Sequence, residues 1–266
     1  MYGPSVAFHR VVRRTRNANR RRHAVLRPQI VTPHLVAAHS SVVMRRLAGV
    51  DMELQENKRR NLALSIPHID GRVIRPGEQL SFWRCIGNPT ARRGYLPGLV
   101  LHSDHLEAGT GGGLCQLSNL MYWLVLHTPL TVVEHHHHGN DVFPDSGRIL
   151  PFGSGATVFF NYVDLVIGND TADDYRLHMW LTEDDLHGEF RATAPGPLAY
   201  HVREEDHRFF RDGARVYREN RLYQVAIDRR TGKEVSSRLI AHNVFPVLYE
   251  VEPALLSGQV GDRGGL

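Results

Sequence analysis

A cysteine wedged between a run of glycines and an amphipathic helix constrains this chain more than any other feature. In residues 109–127 the stretch Gly109-Thr-Gly-Gly-Gly113 leads through Leu114 into Cys115. Leu117, Leu120, Met121, Leu124 and Val125 then recur at i, i+3, i+4, i+7 and i+8, one face of an α-helix, and Pro129 ends it. A helix with one continuous apolar face must bury it against other elements. Cys115 falls in the first turn, where unpaired N–H groups and the positive end of the helix dipole favour a thiolate. The glycines allow a positive φ or a close backbone approach.

The rest of the chain reads as short strands around that helix. Residues 35–64 carry partial helical spacing and are expected to be helical. From Ile66 onward glycines and prolines punctuate short apolar runs, the texture of loops and short strands. Residues 75–83 read as a turn entering a strand, residues 99–101 as a short strand, and residues 130–134 as another, leading into His135-His-His-His138. Residues 156–167 look strongly β. Residues 175–181 and 186–191 form one expected hairpin, and residues 222–227 and 234–239 a second, with residues 228–232 as its turn. The expected class is α+β, a central helix packed against antiparallel, mostly short strands. Expected boundaries are a basic flexible arm at 1–34, one domain at 35–255 and a disordered tail at 256–266.

Charge and cysteine usage narrow the setting. Of the 266 residues, the first 50 hold ten Arg and no acidic residue, so the net charge of +4 conceals an acidic body behind a basic leader. A solvated tail is the ordinary fate of such a leader; contact with an anionic membrane surface or nucleic acid is the alternative. Two cysteines exclude a disulfide framework and suit a reducing compartment. No apolar run is long enough for a transmembrane helix, and no cleavable signal is read. The expected location is cytoplasmic or membrane-peripheral.

Several blocks together resemble the VanW family, named for an accessory gene of glycopeptide-resistance clusters. They are Pro76-Gly-Glu-Gln-Leu-Ser-Phe-Trp83, Gly87-Asn-Pro-Thr-Ala-Arg-Arg-Gly-Tyr95, Gly111-Gly-Gly-Leu-Cys-Gln-Leu-Ser118, Glu134-His-His-His-His138, Asp141-Val-Phe-Pro144, Pro151-Phe-Gly-Ser-Gly-Ala-Thr157 and Asp164-Leu165. The similarity covers residues 60–195. The family often shows Glu-Arg-His-x-His; here His135 stands at the Arg position while His136 and His138 match. The resemblance implies a cell-envelope or antibiotic-response context and no particular reaction.

Three chemistries compete for these residues. The first is nucleophilic: Cys115 attacks an amide of an envelope-related peptide or small molecule, His138 or His136 is the base, and Asp164 orients it, with Asp145 as the alternative acid. The order Cys, His, acid parallels papain-like and transglutaminase-like folds, an analogy of order only. The Gln116 N–H and neighbouring loop amides would hold the oxyanion. The second is binding without chemistry, with Gly111, Gly112, Gly113, Gln116, Ser118 and Glu134 cradling an anionic ligand at the helix start. The third is a metal held by His102, His105, Cys115 and the histidine run. Adjacent histidines on a strand point to opposite faces, so at most two of the four converge, and neither a metal nor a cofactor is expected. Against all three stands the plain alternative that Cys115 is a small packed residue which lets the glycine loop close. On that view His135 and His137 face solvent, Asp164 holds a turn, and Tyr122 and Trp123 are core.

Overall fold

The computed structural model describes residues 22–44, 52–102, 105–137, 139–141 and 150–256. His138, Asp145 and the tail from 257 lie outside the described residues, as does most of the basic arm.

The architecture is α+β, as the sequence indicates. Strands β1 (Val25–Leu26), β2 (His34–Val42), β3 (Arg72–Ile74), β9 (Tyr175–Leu181) and β10 (Asp185–Ala192) form a five-stranded sheet in the order β1-β3-β9-β10-β2. A second sheet runs β4 (Gln79–Ser81), β8 (Val166–Gly168), β7 (Thr131–Glu134). The pair β5 (Pro97–His102) and β6 (His105–Thr110) leads into the glycine loop. The long strands β11 (Leu198–Asp212), β12 (Arg215–Asp228) and β13 (Glu234–Pro246) make a third sheet of three. Every pairing within these sheets is antiparallel. Among the described residues three α-helices join them: α1 (Met52–Ser65), α2 (Phe82–Ile86) and α3 (Cys115–Leu126).

Helix α3 is the axis of the core. The five apolar positions read from its spacing are all buried, and so are Ser118, Tyr122 and Leu126. A helix buried on most of its circumference needs cover on several sides. It packs on β2 and β10, with smaller contacts to β7 and β11. Its last carbonyls would be orphans inside the protein. Gln224 of β12 answers them, its Nε2 donating to Leu126 O at 2.9 Å and to Thr128 O at 3.1 Å.

Three local readings are corrected. Residues 34–42 form strand β2, not the first half of a helix; among the described residues of that stretch, helix begins at Met52. Exposure along β2 mostly alternates, and its backbone pairs with β10 from His34 to Val42, so sheet pairing overrides a weak helical spacing. The turn at residues 75–78 enters a three-residue strand that passes straight into α2, because Ser81 caps that helix by accepting from the Arg84 N–H at 3.2 Å. Residues 156–165 are largely irregular, and only 166–168 pair as a strand. Their N–H groups go elsewhere: Ala156 N–H to Asn119 Oδ1 at 2.6 Å and Thr157 N–H to His136 O at 2.8 Å. Both expected hairpins are present, the second with longer strands and a turn tied by the Asp228 carboxylate to the N–H groups of Arg230 and Thr231. Residues 22–33, counted with the arm, are docked. Arg27 makes a two-pronged ion pair with Glu78, at 2.6 and 2.9 Å, and β1 pairs with β3.

Candidate functional site

The glycine loop is closed by the chain's own atoms. Gly112 lies so near Gly98 that a Cβ would stand 2.1 Å from the Gly98 carbonyl. Gly111 and Gly113 have φ of +78° and +90°, which L side chains rarely adopt, and press on Pro89 and Lys58. Asn61, wholly buried in α1, fastens the loop: its Nδ2 donates to Leu96 O and Gly112 O, both at 2.9 Å, and its Oδ1 accepts the Leu96 N–H at 2.8 Å.

An anion cradle or oxyanion site needs unspent N–H groups. Here those of Gly111, Gly112 and Gly113 donate to Leu96 O, Gly109 O and Leu99 O. Those of Gln116, Leu117 and Ser118 donate to Gly113 O and Leu114 O. The Gln116 side chain reaches back to β2, its Nε2 2.8 Å from Val42 O and 3.0 Å from Ser41 Oγ. The loop amides and Gln116 therefore serve packing.

Cys115 opens α3 as its position in the sequence indicates. The residue is part-buried; its sulfur donates to Val158 O at 3.8 Å, and the atoms packed around it push the thiol pKa up, opposite to the shift a helix N-terminus would give an open site. Val158 ends the segment 155–158, which threads between α3 and the histidine run. The Ser118 hydroxyl lies 2.7 Å from Ala156 O and 3.0 Å from Cys115 O. Neither Val158 nor Asn119 carries a sequence signal for this role, because both act at long range through ordinary polar atoms.

The histidines divide. His135 turns inward: its ring stacks on Tyr122 at 3.9 Å and 6°, and its Nε2 lies 2.8 Å from Gly155 O. Burial lowers its pKa to about 4. The expectation that it faces solvent is thus corrected; His137 is exposed. His136 is half-exposed, with Nε2 3.6 Å from Glu134 Oε1. Glu134 also accepts the Asp164 N–H at 3.2 Å. The Asp164 carboxylate, buried, takes the Ser81 hydroxyl at 2.6 Å and the Trp83 N–H at 3.1 Å, so it clamps the start of α2. Glu134, His136 and Asp164 are thus one connected group, with Asp164 holding a turn. Among the described residues no three His, Cys, Asp or Glu side chains are grouped to hold a metal ion, and both cysteines are free. No described helix is long and apolar enough to cross a membrane.

On its other flank α3 carries Trp123, expected in the core. It is only part-buried and lines a cavity with His39 and His127.

Comparison with known proteins fits this geometry into a family. A family model described as VanW like protein matches residues 57–191, from α1 through most of β10. The chain is 29% identical over 217 residues, 82% of its length and 79% of the relative's, to the vancomycin B-type resistance protein VanW of Enterococcus faecalis. It is 30% identical over 114 residues to the uncharacterized protein YoaR of Bacillus subtilis, covering 43% of this chain and 36% of that one. No solved structure matches it significantly.

Proposed function

This chain belongs to the VanW family, and from that premise we propose that it serves the bacterial response to vancomycin-type antibiotics as a binding protein, not as a thiol enzyme. The observation that carries this reading is the state of the sulfur. Cys115 Sγ is engaged with the Val158 carbonyl, and burial raises its pKa. A thiol nucleophile needs the reverse shift, and the N–H groups of Gly111, Gly112, Gly113 and Gln116 are spent inside the chain. Cys115 then acts as a compact apolar wedge between the glycine loop and residues 155–158. The ligand would be an envelope-related small molecule or peptide.

Alkylation rates test this. Cys85 is also free, so the measurement belongs in a Cys85→Ala background. Iodoacetamide should label Cys115 at least about tenfold slower than a small-molecule thiol at neutral pH. Labelling faster than that reference would overturn the reading. In a sensitised strain, the Cys115→Ser protein should protect against vancomycin as well as the parent chain does.

A second reading is favoured by one observation, the 3.6 Å approach of His136 to Glu134. There Cys115 would attack an envelope amide, His136 or His138 would be the base, and Glu134 would orient it in place of Asp164, whose carboxylate is committed to Ser81 and Trp83. Loss of protection in a folded Cys115→Ser protein would favour it.

A further inference from the structure

The flank of α3 remote from the glycine loop borders a cavity of about 490 Å³. Its volume lies within the range of small-molecule sites. Trp123 lines it from α3, His127 from the C-terminal cap of that helix, His39 from β2, Tyr200 and His201 from β11, and Arg229 from the turn after β12. Aliphatic side chains of β2, α3 and β11, together with Leu150, complete the wall, and among the described residues no carboxylate lines it.

The chemistry of that wall is mixed in a specific way. Trp123 offers an aromatic surface flanked by two imidazoles, the His39 ring 5.9 Å and the His127 ring 4.7 Å from it. The His127 and His201 rings stand edge to face at 6.3 Å. Burial lowers the pKa of His39 and of His127. A neutral imidazole gives one donor and one acceptor, the same pair a hydroxyl offers in return. His127 spends Nδ1 on Trp123 O at 2.9 Å, which in the neutral ring leaves Nε2 as an acceptor. Arg229 spends Nε on Leu198 O at 3.1 Å, and no carboxylate pairs with it among the described residues. The three histidines do not form a metal group. A purely apolar ligand would strand these imidazoles without partners, at a cost in desolvation.

We propose that this cavity binds an acidic sugar: a pyranose whose C–H face lies on Trp123, whose hydroxyls meet the imidazoles of His39, His127 and His201, and whose carboxylate faces Arg229. The assignment rests on the binding reading above for its biological setting, and it supplies that reading with a site and a ligand class. It needs nothing from Cys115.

The probe is D-glucuronate, titrated into the full chain with tryptophan fluorescence and calorimetry as readouts. Saturable binding with half-saturation in the range of about 0.1–10 mM is expected, with D-glucose at least about tenfold weaker. Arg229→Gln should remove that preference for the acid. Trp123→Phe should abolish the fluorescence change, since Trp83 and Trp180 lie outside the cavity. Ala38 is exposed on β2 and lines the cavity, so Ala38→Phe should occlude the site and leave the melting temperature unchanged. The proposal is overturned by any of three results: no saturation with D-glucuronate, equal binding of D-glucose, or benzoate binding tighter than D-glucuronate. Full binding in a folded Ala38→Phe protein would overturn it too. A Cys115→Ser protein that loses protection but still binds D-glucuronate sinks the non-catalytic reading alone. Absent D-glucuronate binding, with protection intact in Cys115→Ser, sinks this site alone.

Discussion

The two ends of α3 are built on opposite terms. At the Cys115 end the N–H groups of the glycine loop and of Gln116, Leu117 and Ser118 all have partners inside the chain, and the glycines sit against Gly98, Pro89 and Lys58. At the Trp123 end an aromatic ring and three imidazoles line open space. The dense motif lies at the closed end; the open end carries no motif. Close self-packing demands small residues and special backbone angles at fixed positions, so it can produce a dense motif as readily as catalysis does.

The contrast can be broken hardest at Gly112. Gly112→Ala puts a Cβ 2.1 Å from the Gly98 backbone, where neither side can yield. A loss of about 3–5 kcal/mol, or failure to fold, is expected in denaturant titration. A change under about 1 kcal/mol would show that the loop is looser than its contacts indicate.

Acid should strike the closed end next. His135 has its pKa lowered from 6.5 to about 4, so the unfolded chain takes up a proton at that site before the native one does. Its contribution is whole above pH 6.5, declines as pH falls from 6.5 toward 4, and is flat below that. The interval corresponds to a ceiling of about 3 kcal/mol. His135→Phe keeps a ring for Tyr122 to stack on and removes the proton site. Its stability should fall less steeply over that interval than that of the parent chain, as read from unfolding curves at a series of pH values. Parallel slopes would place the acid sensitivity elsewhere.

Smaller effects sharpen the picture. Ser118→Ala removes a buried hydroxyl and leaves the Ala156 carbonyl without it, for a loss of about 1–2 kcal/mol in the same assay. Trp123→Phe, at the open end, should cost less than about 1.5 kcal/mol, because a part-buried ring is replaced by another of similar shape. If the Trp123 substitution proved costlier than Ser118→Ala, the two ends would not differ as described.

Much of the scaffold is legible in the residues alone. The apolar period of α3, its stop before Pro129 and the hairpin turn at Asp228 depend on neighbours three or four positions away, which a local pattern records. Strand β2 was illegible because its alternation is weak and its pairing partner lies beyond residue 184. The VanW resemblance was carried by motif blocks and stands on the family match. The site was less legible. Its residues are neighbours in space, but whether a thiol, a carboxylate or an amide is available depends on what else has claimed it. Asp164 is claimed by Ser81, 83 positions away, and Cys115 by Val158, 43 positions away.

By itself the sequence determined the family, the class α+β and the helix that orders the core. Only the tertiary structure decided that the glycines close on the chain itself, that His135 turns inward while His136 stays at the surface, and that the opening lies beside Trp123. Periodicity and turn chemistry act over a few residues and are written along the chain. Burial, the spending of hydrogen bonds and the shape of a cavity are settled by contacts between residues far apart along the chain, which exist only once the sheets have assembled around α3.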